Sequence, residues 1–263
     1  MLVDSHCHLD MIADHQDLDE VVARARRAGV QTMVTISTTL SGWDRVKEIA
    51  ETYDNVWCSV GVHPHEAGPE GQSAPDKLIE LAQHPRVVGI GESGLDYHYD
   101  NSPRQAQAES FRTHIVAARE TGLPLIVHAR EADEDTATIL REGYDQGPFP
   151  CVMHCFSSGV GLAEAALDLG FYISMSGIAT FKKAEEIREV ARMVPEHRLL
   201  VETDAPYLAP TPRRGKPNEP SYVSYTADSL CETLGLTRAE LERRTTDNFF
   251  RLFSRAERPA DAA

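Results

Sequence analysis

Residues Pro124–Arg130 read PLIVHAR, a short apolar run with two β-branched residues that leads into a histidine. Such a run predicts a buried β-strand with His128 at its carboxyl end. Other short apolar runs recur along the chain and predict seven further strands. The eight predicted strands are Leu2–His6, Gln31–Ile36, Val56–Val62, Val87–Glu92, Leu125–His128, Cys151–His154, Phe171–Ser174 and Leu199–Glu202.

Amphipathic segments separate these strands. In Leu18–Ala28 the apolar residues recur with a period near 3.6, which predicts a helix with one buried face. Similar patterns predict helices at Arg45–Tyr53, Asp76–Gln83, Arg104–Thr121, Glu134–Glu142, Leu162–Leu169 and Glu185–Met193. The segment Thr237–Ser254 predicts one or two terminal helices, which dock through Phe249, Phe250, Leu252 and Phe253.

The alternation of strands and helices is typical of a parallel α/β architecture. A closed (β/α)₈ TIM barrel holds eight such units in about 250 residues. We therefore predict that residues 1–263 form one barrel domain with a C-terminal helical extension. An open, doubly wound sheet is the alternative. The first predicted strand is not followed by a glycine-rich phosphate fingerprint, which disfavours the dinucleotide-binding form of that fold.

The chain has 263 residues, with 41 acidic and 26 basic side chains and a formal net charge of −15. This balance argues against the broad basic surface of many nucleic-acid-binding proteins. Five cysteines at irregular positions do not resemble a disulfide framework, which favours a reducing compartment. The sequence shows no leader pattern and no apolar run of about 18 residues. We therefore expect a cytoplasmic protein without a membrane segment.

Histidines and carboxylates mark the carboxyl ends of several predicted strands. His6 and His8 flank one cysteine, and the period of two along a strand points both imidazoles to one face. Further polar residues end four later strands, namely Glu92, His128, His154, Glu202 and Asp204. In a parallel barrel these ends share one face, where barrel active sites are built. The pattern therefore predicts a site that these side chains form together.

Imidazole and carboxylate groups together suit Zn²⁺, Mn²⁺, Fe²⁺ or Ni²⁺, and suit Mg²⁺ less well. Six candidate ligands exceed what one tetrahedral ion needs, whereas two ions bridged by a carboxylate would use all of them. The six candidates are His6, His8, Glu92, His128, His154 and Asp204.

Other polar residues are candidates for supporting roles. His63 ends the third strand and could contact a phosphate, and Arg130 could bind a phosphate bidentately or pair with Glu131. Asp96 and Glu202 are candidates for orienting the ligand imidazoles. A short basic cluster at Arg213, Arg214 and Lys216 could face a nucleic-acid backbone, although a solvated surface cluster is the favoured interpretation.

A series of motifs across nearly the whole chain resembles the TatD-type family of metal-dependent hydrolases and deoxyribonucleases, within the amidohydrolase superfamily. The motifs are DSHCHLD at 4–10, GVHPH at 61–65, GESGLDY at 91–97, HAR at 128–130, HCF at 154–156, ETDAPYLAP at 202–210, RGKPNEP at 214–220 and NFFRLF at 248–253. The resemblance implies a barrel with two divalent cations. In that arrangement one cation is held by His6, His8, Glu92 and Asp204, and the second by Glu92, His128 and His154.

The resemblance also implies an activity. We expect a two-metal hydrolase that acts on DNA or another phosphodiester from the 3′ end, with a metal-activated water and with Asp204 and Glu92 as catalytic residues. The alternative is hydrolysis of an amide, ester or lactone, as elsewhere in the superfamily. A metal-binding protein without catalysis is a third hypothesis. No obligate protein partner is evident in the sequence.

Overall fold

A computed structural model of the chain describes residues 1–71 and 74–259. Eight strands form one sheet in the order β1 to β8, and each pairs in parallel with the next. The strands are β1 Leu2–Cys7, β2 Val30–Thr35, β3 Val56–Val60, β4 Val87–Asp96, β5 Leu125–Arg130, β6 Cys151–Met153, β7 Tyr172–Met175 and β8 Leu199–Val201.

Ten α-helices occur within the described residues. They are α1 Leu9–Ile12, α2 Leu18–Arg27, α3 Trp43–Thr52, α4 Pro75–Leu81, α5 Arg104–Thr121, α6 Asp133–Asp145, α7 Val160–Asp168, α8 Glu185–Met193, α9 Val223–Leu234 and α10 Arg238–Leu252. Short 3₁₀ turns occur at Pro64–Glu66, Gly177–Thr180 and Pro220–Tyr222.

The first and last strands meet through the backbone just beyond β8. Cys7 forms a parallel bridge with Ala205. The His8 amide donates to the Ala205 carbonyl at 2.7 Å, and the Asp204 amide donates to the His6 carbonyl at 2.9 Å. The sheet is therefore a (β/α)₈ TIM barrel, as the alternating pattern predicts, and the open doubly wound alternative is wrong.

The C-terminal extension packs against the amino-terminal end of the barrel. Helix α10 begins with a capping box, in which Thr237 and Glu240 satisfy each other's backbone amides. Phe249 of this helix and Phe253, which directly follows it, are buried and pack with apolar side chains near the starts of the strands. These strand residues are Val3, Trp57, Val88, Ile126, Val152 and Leu200. The opposite, carboxyl-terminal end of the barrel is thus the end available for a site.

Three elements differ from the sequence-based expectation. Helix α9 was not predicted, because its serine and threonine content hides the apolar residues Val223, Ala227 and Leu230, which lie on one buried face. Strand β4 runs four residues past its predicted end at Glu92, through a segment too rich in glycine and polar residues to suggest a strand. The short helix α1, which follows β1 after one residue, was not predicted either.

Two further observations concern the chain as a whole. All five cysteines are free thiols. Across residues 1–71 and 74–259, none of the helices combines the length and the apolar character needed to cross a membrane.

Candidate metal centre at the carboxyl ends of the strands

A cavity of about 770 Å³ opens at the carboxyl ends of the barrel strands. Five of the six predicted ligand residues line it, namely His8, Glu92, His128, His154 and Asp204. The sixth, His6, is fully buried and stacks against His154, with ring centroids 3.9 Å apart. The structure therefore brings all six residues to one place, although they come from five strands and the segments that follow them.

Glu92 lies at the centre of this cluster, and its two carboxylate oxygens face different neighbours. Oε2 lies 3.3 Å from Nε2 of His6 and 3.9 Å from Nε2 of His8. Oε1 lies 2.7 Å from Nε2 of His154 and 3.0 Å from Nδ1 of His128. A carboxylate in this position can contribute one oxygen to each of two ligand groups.

The first ligand group is completed by Asp204, which follows β8. Its Oδ1 atom lies 3.5 Å from Nε2 of His8 and 3.7 Å from Nε2 of His6. Asp204 has a positive φ of 58°, a conformation that aspartate tolerates better than most residues. This backbone turn brings its carboxylate to the histidines of β1.

The second ligand group has one more candidate than the sequence predicts. Nε2 of His63 lies 3.4 Å from Oε1 of Glu92. His63, Glu92 and His128 have ligand atoms close enough together to hold an ion. His63 was predicted to contact substrate, and the geometry also permits it to act as a ligand.

Buried atoms without hydrogen bonds test whether a metal fits. Within the described residues, Nε2 of His6 and Oε2 of Glu92 have no hydrogen-bond partner, and neither does Nδ1 of His8. Buried polar atoms are normally paired, because leaving them unpaired costs roughly 1–3 kcal/mol each. Imidazole nitrogens and carboxylate oxygens are also the donors that divalent transition metals prefer. The donor set therefore fits divalent cations.

The buried carboxylates are held in their ionised form. Burial alone would raise the pKa of Glu92, but the surrounding histidines hold that pKa well below its ordinary value. For Asp204, burial is likewise outweighed, first by a hydrogen bond from His8, and the net pKa is lowered. Burial lowers the pKa of His63 to about 4, so this imidazole is neutral at neutral pH. Glu92, Asp204 and His63 are therefore in the forms that bind metals, whereas nearby carboxylates raise the pKa of His8, His128 and His154.

Two further carboxylates orient the histidine rings. Oε1 of Glu202 lies 3.1 Å from Nδ1 of His154 and accepts the backbone amide of Cys155 at 2.7 Å. Oδ2 of Asp96 lies 3.1 Å from Nε2 of His128 and 2.8 Å from Nε2 of His65. Such contacts fix the ring orientation and the tautomer of metal-ligating histidines.

Close packing of β4 against β5 sets the position of Glu92 relative to His128. Gly94 pairs with His128 in the sheet. Its φ is +146°, and a Cβ atom added there would lie 2.0 Å from the His128 carbonyl oxygen. Only glycine therefore permits this approach of the two strands.

Sequence reasoning missed a buried acid beneath the site. Asp4 accepts hydrogen bonds from the backbone amide and the hydroxyl of Thr203, at 2.8 and 2.6 Å. It thereby ties β1 to the segment that carries Asp204. The signal that could have identified it is an acid inside the otherwise buried strand β1.

The mouth of the cavity contains Arg130 and two tyrosines. The Arg130 guanidinium lies 4.8 Å from the ring centroid of Tyr99, while Glu131 pairs with His98 at 2.7 Å. The predicted alternative of an Arg130–Glu131 ion pair is therefore wrong. Tyr99 and Tyr207 are 54% and 53% exposed and line the mouth, and neither was singled out from the sequence.

Comparison with known proteins places this site in a family. The family described as TatD related DNase matches residues 3–254. A protein named uncharacterized metal-dependent hydrolase YcfH, from Escherichia coli K12, is 46% identical over 260 residues, which cover 96% of this chain and 95% of that protein. A Klebsiella pneumoniae protein named 3′-5′ ssDNA/RNA exonuclease TatD is 35% identical, over 90% of this chain and 92% of its own.

A solved structure gives the same result. The crystal structure of YjjV, a TatD homologue from Escherichia coli K12, has a TM-score of 0.86 at 30% sequence identity. The alignment covers 96% of this chain and 98% of that one. With the family match over residues 3–254, this agreement in sequence and fold identifies the chain as a metal-dependent hydrolase that belongs to the TatD-related DNase family.

Proposed function

We propose that the chain is a phosphodiesterase that uses two divalent cations to remove nucleotides from the 3′ end of DNA. The observation that carries this proposal is the division of the Glu92 carboxylate between two ligand groups, with Oε2 toward His6 and Oε1 toward His154. Two-metal sites are typical of enzymes that displace an alkoxide from a phosphodiester.

In this proposal His6, His8 and Asp204 hold one cation, and His128 and His154 hold the other, with Glu92 shared between them. Divalent cations in such a site stabilise negative charge on the phosphoryl group and on the leaving oxygen, and favour the ionisation of water. The remaining chemistry falls to the protein side chains around the cavity.

Asp204 is the candidate proton acceptor. Its carboxylate is ionised because its pKa lies below the ordinary value, and it lines the cavity, where water can reach it. Glu92 is less suited to this role, because its side chain is only 2% exposed and both of its oxygens face histidines. We assign Glu92 the role of joining the two ligand groups at a fixed separation.

The surroundings favour a phosphate over a small amide. Arg130 lines the cavity, and within residues 1–71 and 74–259 it makes no ion pair. Its guanidinium and the imidazole of His63 are available to contact phosphate oxygens. The name of the Klebsiella relative, an exonuclease on single-stranded DNA and RNA, supports the same class of substrate.

The test begins with purified protein that has been stripped of metal and reloaded with a single ion, Mn²⁺, Zn²⁺ or Mg²⁺ in turn. It is incubated with single-stranded DNA labelled at the 3′ or the 5′ end, and in parallel with a panel of amides and lactones. We expect early release of a 3′-terminal label and slow, stepwise shortening of the 5′-labelled strand. Asp204→Ala should abolish both signals, whereas Glu186→Ala, an exposed change, should abolish neither. Turnover of the amides or lactones alone would replace the proposal with the alternative activity.

A further inference from the structure

Five basic side chains gather on the rim of the barrel beyond β7 and β8, and we call them the basic rim. They are Lys182, Lys183, Arg213, Arg214 and Lys216. Four are exposed, and Arg213 is partly exposed. In the described part of the chain, twelve lysine and arginine residues form ion pairs with acids, and no member of the basic rim is among them. The basic rim is thus a local positive surface on a chain whose net charge is −15.

Contacts between the two loops hold the basic rim together. The guanidinium of Arg214 lies 3.8 Å from the ring centroid of Phe181, the residue before Lys182. The backbone amide of Thr211 donates to the hydroxyl of Thr180 at 2.8 Å. Residues about 30 positions apart in sequence therefore form one surface, which the sequence alone showed only as a short cluster on the second loop.

A second set of contacts fixes the arginine next to this junction. Nη2 of Arg213 donates to the hydroxyl of Tyr225 at 2.9 Å, and its guanidinium lies 5.2 Å from the ring centroid of Tyr222. The guanidinium is thus held by neutral aromatic groups, which leave its charge uncompensated. A preorganised cation binds an anion at a lower entropic cost than a mobile one.

The same two loops reach the cavity. Ile178 precedes the lysines in the first loop, Tyr207 and Leu208 precede the arginines in the second, and all three residues line the cavity mouth. The basic rim is therefore continuous with the candidate metal centre. In TIM barrels, the loops after strands 7 and 8 are also the frequent location of phosphate sites.

The part of the rim just beyond Arg130 carries negative charge. Four acids lie after β5, namely Glu131, Asp133, Glu134 and Asp135, and they line a neighbouring pocket. An extended polyanion that reaches the metal centre is repelled by these acids and attracted by the basic rim. The charge distribution thus selects one path across the rim.

We infer that the basic rim binds the backbone phosphates of a single-stranded nucleic acid whose 3′ end lies in the cavity. This inference rests on the proposed function and adds the surface that the rest of the strand follows. The exposed ring of Tyr207, between the rim and the cavity, offers a stacking face to a base on that path. The negative net charge of the chain then limits the long-range attraction of a nucleic acid, while the basic rim attracts its phosphates at short range.

The test compares two triple variants by fluorescence anisotropy. The rim variant is Lys182→Gln/Lys183→Gln/Lys216→Gln, and its matched control is Arg27→Gln/Arg141→Gln/Arg243→Gln, which changes three exposed arginines that make no ion pair in the described structure. Both carry Asp204→Asn, so that the DNA is not consumed. The probes are fluorescein-labelled oligothymidylates of about 20 and about 3 nucleotides, titrated across about 50 to 300 mM salt.

We expect the rim variant to bind the longer strand about tenfold more weakly, with the dependence of log Kd on log salt reduced by about 2. The ratio of affinities for the long and the short strand should fall, and the control should change neither quantity by more than about twofold. Equal weakening by both variants, or by neither, overturns the inference. Failure of the proposed function would appear separately, as the absence of DNA hydrolysis by the unaltered enzyme in the labelled-strand assay.

Discussion

The imidazole rings of His6 and His154 stack with their centroids 3.9 Å apart and their planes within 9° of parallel. These rings belong to different ligand groups around Glu92. Two protonated rings at this separation would repel each other, and burial followed by the charge of His154 lowers the pKa of His6. The two ligand groups are thus packed against each other, and a substitution of Glu92 should disturb both of them.

Metal content should follow this division. We expect about two cations per chain in the reloaded wild-type protein, about one in Asp204→Ala and close to none in Glu92→Ala, because Glu92 directs one carboxylate oxygen to each group. Mass spectrometry of metals after dialysis measures this directly. Turnover should fall about a thousandfold or more in both variants. Glu186→Ala is the control, and retention of two cations by Glu92→Ala would exclude a bridging role.

The carboxylate behind His154 should tune metal affinity without contacting the metal itself. Glu202→Gln keeps the size of the side chain but removes the charge that faces Nδ1 of His154. We expect an affinity for the more weakly bound ion that is about 10- to 100-fold lower, as measured by competition with a chelating dye. Glu186→Gln, which alters an exposed glutamate, should leave the affinity unchanged.

Glycine at position 94 should be indispensable for the packing of β4 on β5. Gly94→Ala would place Cβ against the His128 carbonyl, at a backbone conformation that alanine avoids. We expect the free energy of unfolding in urea to fall by more than about 3 kcal/mol. The control is Gly122→Ala, where φ is +68° but no atom lies within 4 Å of the added Cβ. There the free energy of unfolding should fall by only about 1 kcal/mol. Similar losses in both variants would exclude the close approach as the cause.

Acid should destabilise the fold partly through His114. This imidazole is fully buried, accepts the Val62 amide at Nε2 and donates from Nδ1 to the Ser110 carbonyl, and burial lowers its pKa to about 4. The unfolded chain, with a value near 6.5, binds a proton that the folded chain does not. The neutral imidazole therefore adds about 3 kcal/mol to the free energy of unfolding above pH 6.5. This contribution is lost as the pH falls toward 4.

The check is a comparison of urea unfolding free energies near pH 7.5 and pH 5, with metal removed. Wild type should lose about 2 kcal/mol more than His114→Gln over this interval. The variant is expected to be less stable at pH 7.5, since it loses a buried hydrogen bond. His197→Gln, at an exposed histidine, should keep the wild-type pH dependence. Identical pH dependence in wild type and His114→Gln would contradict the assignment.

Arg130 should contribute to substrate binding more than to the chemical step. Arg130→Ala is expected to raise the KM for single-stranded DNA about tenfold, with a smaller effect on kcat, because a phosphate contact of this kind forms in the ground state. Steady-state kinetics on a labelled oligonucleotide measure both constants. Arg141→Ala, which removes an exposed arginine of α6, is the control. An unchanged KM in Arg130→Ala would remove Arg130 from the binding site.

Much of the fold could be predicted because its signals are local. The apolar run of Leu125–Val127 indicates a strand wherever it occurs, and eight such runs separated by helices leave few architectures. Helix α9 and the end of β4 escaped prediction because tertiary packing, and not the local pattern, stabilises them. In β4, for example, Gly94 would weaken an isolated strand but is required by the neighbouring β5.

The site was predictable to the extent that strand ends mark it. His128 and His154 each follow or end an apolar run, so topology alone brings them together. Asp4 and the contact of His65 with Asp96 could not be found in this way, since each depends on a partner far along the chain. The same holds for the basic rim, whose lysines and arginines meet only in the folded barrel.

The hydrogen bonds between Asp4 and Thr203 join residues that are 199 positions apart. The first ligand group depends on the same closure, because His6 and His8 come from the first strand and Asp204 follows the last. A growing chain on the ribosome therefore lacks this group until the segment that follows β8 has been made. We expect chains that end before Asp204 to have no hydrolytic activity, because they lack one member of the first ligand group.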